Sequence, residues 1–161
     1  MTMEWRSKRI GMGLLLAVVV ILLDQLSKWI AVQTLAKEAI ILFPGFFDLV
    51  LVHNAGAAFG LFTGLSPDLR LIFLCSVALI ASLIILRLLQ QAHSGIQISG
   101  LGMILGGALG NLIDRVRFGA VVDFIHLHWH ELSWPVFNLA DSAITVGVGL
   151  LLLDHLTTSD P

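Results

Sequence analysis

The chain is poor in charge, and this is its most restrictive property. Only 12% of its 161 residues are Asp, Glu, Lys or Arg, about half of the ~25% usual in soluble domains. Lys and Arg together number 9 and the net charge is −2. No basic stripe exists to neutralise phosphates, which excludes a nucleic-acid partner. Tyrosine is absent, although 4 Trp and 9 Phe are present. The one cysteine, Cys75, can form no internal disulfide, and no second thiol offers metal-ligand spacing. It reads as a small packing residue in an apolar segment. In place of charge there is hydrocarbon: 57% of the residues are hydrophobic and the mean hydropathy is +0.94. These values describe an integral membrane protein, and the length suits a single domain over residues 1–161.

Four apolar segments are long enough to span a bilayer, which takes ~20 residues. They run over about 10–32, 69–89, 96–113 and 138–155, the second with an uncharged core at Leu71–Leu86. The expected architecture is an all-α membrane protein of four transmembrane helices. Arg6, Lys8 and Arg9 precede the first segment and place the N-terminus in the cytoplasm by the positive-inside rule. Arg87 agrees, Arg115 and Arg117 fall on the opposite side, and an even number of spans puts both termini inside. The first segment imitates a secretory signal, but Asp24-Gln-Leu-Ser-Lys28 continues its helical pattern, with acid and base four apart in the favourable order. No cleavage there is expected.

The two outer loops, about 33–68 and 114–137, then hold most of the polar chemistry. Ile40–His53 is β-rich and bounded by a Pro44-Gly45 turn, and Ala120–His130 is also strand-like. A small β-rich element at the outer membrane surface follows. Asp123 lies in the second strand among Val121, Val122, Phe124 and Ile125, with no local cation. Asp141 opens the fourth segment three residues after Asn138, on the same helical face. Asp141 has two readings, a capping first-turn aspartate or half of an acid–base pair with Asp123. Asp114 could serve as a neutralising partner for Arg115. Gly102, Gly106 and Gly110, at steps of four, make a smooth ridge for another helix and carry Asn111, Asp114 and Arg115 towards it.

His126, His128 and His130 alternate, which would put all three on one strand face. A metal site is conceivable. A polar face at headgroup level, with Trp129 and Trp134 as interfacial anchors, is the better reading, and no metal is expected. The small residues of His53-Asn-Ala-Gly-Ala-Ala-Phe-Gly60 would let a bound chain approach, with Asn54 holding its backbone.

Five blocks occur in order: Asp24-Gln-Leu-Ser-Lys28, Asn54-Ala-Gly-Ala-Ala-Phe-Gly60, Gly106-Gly-Ala-Leu-Gly-Asn-Leu-Ile-Asp-Arg115, Val121-Val-Asp-Phe-Ile125 and Phe137-Asn-Leu-Ala-Asp-Ser-Ala143. Together they resemble the bacterial lipoprotein signal peptidases (signal peptidase II), over about residues 10–155. The resemblance implies an aspartic endopeptidase of the bacterial inner membrane, active near the periplasmic face. Its substrate would be a prolipoprotein carrying diacylglycerol, cut just before the lipidated cysteine. It implies Asp123 and Asp141 as the catalytic pair. Asn54, Gly56, Asn111, Arg115 and Asn138 would surround substrate or dyad, with Asp24, Lys28 and Asp114 in support. No cofactor is implied. The expected partners are the lipidated substrate and membrane lipid, and the protein is expected to be a monomer. A proton- or cation-coupled transporter would want acids in mid-span, whereas these fall in a loop and at a helix start. A scaffold built on the glycine ridge would leave both aspartates unexplained.

Overall fold

The computed structural model describes residues 3–56 and 66–158. Ala57, Ala58, Phe59 and Gly60 of the small-residue block, and the side chain of Arg6, lie outside the described residues. The elements in chain order are α1 (Met3–Thr34), β1 (Ile40–Phe43), β2 (Phe47–Asn54), α2 (Pro67–Leu89), α3 (Gly95–Phe118), β3 (Val121–Trp129), β4 (Leu132–Ser133) and α4 (Leu139–Thr158). Each of the four helices is long and apolar enough to cross a membrane, and their outward faces carry bare Leu, Ile, Val and Phe side chains. In water such a surface would be untenable. Against lipid tails it is the expected one.

The helix ends follow from local chemistry. Ser66 caps α2, with Pro67 at the first helical position, where its missing N–H costs nothing, and Asp68 in the first turn. Ser94 caps α3 by accepting the Gln97 N–H at 2.9 Å. That helix stops at Gly119, which takes φ 71° and returns its N–H to the Arg115 carbonyl. α3 therefore runs five residues past the apolar segment that ends at Ile113. Asp114, Arg115 and Arg117, placed in the outer loop by hydropathy alone, are helical. Basic side chains in a last turn suit the helix dipole, and their stems tolerate apolar surroundings.

α3 is the central helix and packs on α1, α2 and α4. Its glycines make this possible. A methyl on Gly102 or Gly106 would come within 2.7 Å of the Gly13 or Ala17 carbonyl of α1, and one on Gly107 would collide with the Ala140 carbonyl of α4. The ridge thus faces α1, while Gly107 admits the first turn of α4.

The strands form one antiparallel sheet in the order β1-β2-β3-β4. The β1–β2 turn contains Gly45 at φ 78°, a conformation open to glycine. Between β2 and β3 the register runs from Phe47 opposite Leu127 to Asn54 opposite Val121, with an irregularity between Leu49 and Val52. This register carries Asn54 and Asp123 to the same end of the strand pair.

Candidate active site

The first turn of α4 begins the site. Asn138 precedes the helix and its Oδ1 accepts the Asp141 N–H at 2.9 Å. In return the Asn138 N–H lies 3.3 Å from Asp141 Oδ2. This is a capping box with an aspartate in the acidic position. The remaining oxygen, Oδ1, accepts from the Asn111 amide at 2.7 Å. The two readings of Asp141 therefore do not compete: it caps its helix and still turns a carboxylate into a cavity.

Asp123 is held near the start of β3. Its Oδ2 accepts from the Asn54 amide at 3.0 Å and its Oδ1 from the Asn138 amide at 2.7 Å. Asn138 thus grips both carboxylates, one through its backbone and one through its side chain. The Asn54 amide oxygen accepts the Gly56 N–H at 3.0 Å, so the loop after β2 is tied to the same group.

Behind this pair stands a buried ionic network. The Lys28 ammonium lies 2.9 Å from Asp24, 2.8 Å from Asp114 and 2.9 Å from the Asn111 amide oxygen, which uses all three of its protons. Asp114 pairs here with Lys28 and not, as charge order suggested, chiefly with its neighbour Arg115. Each supporting carboxylate also holds the chain just ahead of a site aspartate. Asp114 accepts the Val122 N–H at 3.1 Å, and Asp24 accepts the Ala140 N–H at 3.0 Å. Gln25 links them, bonding Asp114 at 2.8 Å and lying 3.3 Å from Asp24. Gly110 must be bare for this, since a methyl there would stand 2.6 Å from an Asp24 oxygen.

Asp24, Lys28, Asp114, Asp123 and Asn138 are all at most 3% exposed. Ions so far from water persist only when fully paired and hydrogen-bonded. Among the described residues no buried side-chain nitrogen or oxygen lacks a partner.

Asp123, Asp141, Asn54, Gly56, Arg70 and Arg115 line one cavity of about 650 Å³. An apolar crevice of about 480 Å³ adjoins it and shares Trp134, Phe137, Asp141 and Thr145 with it. Burial pushes the Asp123 carboxyl up to about 6. The charge of Asp141 adds to the rise, while the Asn54 and Asn138 amides and distant Lys28 oppose it. Two carboxylates facing one cavity, one of them slow to ionise, can share a single proton.

Every residue singled out from the sequence for this site lies in the cavity or in the network behind it. Two further members carried no signal. Gln25 sits inside the first block as an unremarkable polar residue, and Arg70 reads as the charged edge of a span. Only the meeting of α1 with α3, and of α2 with the cavity mouth, gives them roles. Of the three alternating histidines, His126 and His128 share a strand face, their rings 4.8 Å apart. His130 has left the strand, at φ 51° in the turn before β4.

The model of the signal peptidase (SPase) II family matches residues 16–157. The lipoprotein signal peptidase of Syntrophotalea carbinolica is 46% identical over 144 residues, covering 87% of this chain and 88% of that protein. That of Azoarcus sp. is 43% identical over 143 residues, covering 89% and 81%. A solved structure described as a bacterial membrane enzyme superposes with a TM-score of 0.79 at 30% identity, covering 93% of this chain and 92% of that one. The fold and the family are those of a multi-pass membrane protease. The chain belongs to the signal peptidase II family.

Proposed function

We propose that this enzyme hydrolyses the peptide bond ahead of a diacylglyceryl-cysteine in prolipoproteins, with Asp123 and Asp141 as its catalytic pair. The observation that carries the assignment is Asn138, which bonds both carboxylates at one cavity. In the resting site the pair holds one proton. The ionised carboxylate takes a proton from a water molecule, which attacks the scissile carbonyl. The protonated one hydrogen-bonds that carbonyl and then gives its proton to the leaving amine. The two titrate as a unit, so neither is fixed as acid or base.

Arg115 lines the cavity, and its Nη1 lies 3.3 Å from the Asn111 carbonyl. It and Arg70 are positioned to hold carbonyl or ester oxygens of the substrate. Asn54 and Gly56 border the path of the extended peptide, and Asn54 fixes Asp123 as well. Asn111 and Asn138 orient the dyad, while Asp24, Lys28 and Asp114 brace it from behind. The apolar crevice beside Asp141 suits the acyl chains of the lipidated cysteine.

The whole chain acts as one membrane domain. The arrangement that fits its charges is an inner-membrane protein with both termini in the cytoplasm and the sheet, cavity and dyad at the periplasmic surface. There the substrate's lipid can stay in the bilayer while its peptide enters from the side. A monomer contains every residue the reaction needs.

The test is cleavage by the purified protein in lipid. A prolipoprotein carrying diacylglycerol should be cut ahead of the modified cysteine, and the same polypeptide without the lipid should be cut at least ~10-fold more slowly, since binding energy from a remote group is used at the reacting bond. Equal rates on both would refute the assigned substrate class.

A further inference from the structure

The outer strands carry a second cluster of chemistry-bearing side chains, separate from the dyad. Asp48 on β2 stands directly opposite His126 on β3, and His128 follows two residues on, on the same strand face. His128 Nε2 lies 2.9 Å from Asp48 Oδ2, and His126 Nδ1 lies 3.8 Å from the same oxygen. One donor atom from each of the three residues falls within 4.8 Å of the others. Strand alternation sets these side chains on the face opposite Asp123, and none of the three lines the catalytic cavity.

We propose that Asp48, His126 and His128 form a binding site for a zinc-class divalent cation. Ligand atoms of a tetrahedral Zn²⁺ lie about 2.0–2.1 Å from the metal, and hence about 3.3 Å from one another. The two separations from Asp48 bracket that value and the third lies within 4.8 Å, so turning the two near-parallel imidazoles towards a common point would complete the geometry. Two imidazoles and one carboxylate suit Zn²⁺ and its neighbours in the first transition row. Mg²⁺ and Ca²⁺ prefer sites made wholly of oxygen.

The surroundings prepare the ligands. The other ring nitrogen of His126, Nε2, lies 2.8 Å from Ser133 Oγ on β4, the kind of outer contact that orients a ligating imidazole and turns its free nitrogen to the metal. The His128 backbone N–H is bonded to the Phe46 carbonyl at 3.0 Å, which fixes that residue against the β1–β2 turn. The three side chains are about one-fifth exposed, so an ion can reach them. A fourth position stays open to water. Spacing along the strand alone argued for a plain polar face. The acid across the strand, which the sequence could not pair with the histidines, changes that reading. His130 is not a ligand. It lies in the turn, its ring edge-on to Trp129 at 5.9 Å. The ion would staple β2 to β3 without taking part in hydrolysis.

The experiment titrates tag-free protein in detergent with ZnCl₂ and follows binding by calorimetry. We expect one saturable equivalent. Asp48→Asn, His126→Ala and His128→Ala should each weaken it at least 10-fold, His130→Ala should leave it within twofold, and prolipoprotein cleavage should stay within twofold with or without the ion. X-ray absorption at the zinc edge of the wild-type complex should report two imidazoles, and this arm stands even if a variant fails to fold. No saturable binding, equal affinity in the ligand variants, or an edge spectrum without two imidazoles would overturn the site.

Discussion

The helix α4 carries an aspartate near each end, and the two live in different chemistry. Asp154, near the C-terminal end, is 4% exposed and accepts from Ser94 Oγ and the Gln97 amide. Those donors belong to the capping turn of α3, so the contact pins one helix end to another. Asp141, at the N-terminal end, shares Asn138 with a second carboxylate and opens on a cavity lined by arginines. Behind it lie two more acids and a lysine. Burial alone therefore does not mark an acid as functional. What Asp141 has and Asp154 lacks is a second acid on the same donor and facing the same cavity, and this supports the role proposed for it.

The largest expected effect probes the charges behind the dyad. Lys28→Met would leave Asp24 and Asp114 buried beside each other without a cation. Loss of one partner from such a pair costs about 3–5 kcal/mol, readable as a fall in unfolding free energy in detergent. A loss under about 1 kcal/mol would mean that the network is not held by charge.

Next comes the donor that distinguishes the two ends. Asn138→Ala removes the side-chain helix cap and the amide bond to Asp123, and leaves the backbone N–H that faces Asp141. It should lower kcat/KM by about 10²-fold, or ~2.7 kcal/mol of transition-state stabilisation, and cost about 1 kcal/mol of stability for the cap. A variant that loses stability but keeps its rate would reduce Asn138 to a capping residue.

Close packing gives a smaller effect. Gly107→Ala drives a methyl against the Ala140 carbonyl, whereas Gly149→Ala meets nothing within 4 Å. The first should cost about 1–3 kcal/mol and slow cleavage by displacing Asp141. The second should stabilise by up to about 1 kcal/mol with no change in rate. Thermal melts with parallel rates decide it.

The last effect is graded by pH and is small close to the apparent value. A carboxyl raised to about 6 by burial is protonated below that value and charged above it. The singly protonated dyad is therefore lost as pH rises. For the free enzyme, kcat/KM should bend downward above an apparent value near 6 and approach a tenfold fall per pH unit. Rates still rising from pH 6 to 9 would contradict a shared proton.

Much of this was legible in the chain. Asp24 and Lys28 are four apart, Asn138 and Asp141 three apart, and the glycines recur at four, so helical geometry alone assembles those groups. The strands around Asp48 and Asp123 show in their β-branched and aromatic runs. What stayed hidden depends on contacts between distant segments. The end of α3 lies beyond its apolar stretch because Gly119 stops the helix, not hydropathy. Asp114 turns to Lys28, 86 positions away in sequence and 2.8 Å away in space. Arg70 and Gln25 gain meaning only where helices meet, and Asp48 only where β2 pairs with β3.

One measurement tests the dyad most directly: cleavage of lipidated prolipoprotein by purified Asp123→Asn, Asp141→Asn and Asp154→Asn in lipid. Loss of acid–base catalysis should slow each of the first two by about 10³-fold or more while they remain folded. Asp154→Asn should stay within about twofold, because its carboxylate lies at the other end of α4 and does not line the cavity that Asp123 and Asp141 share. Near wild-type cleavage by either of the first two, or an equal collapse of the third, would contradict the account.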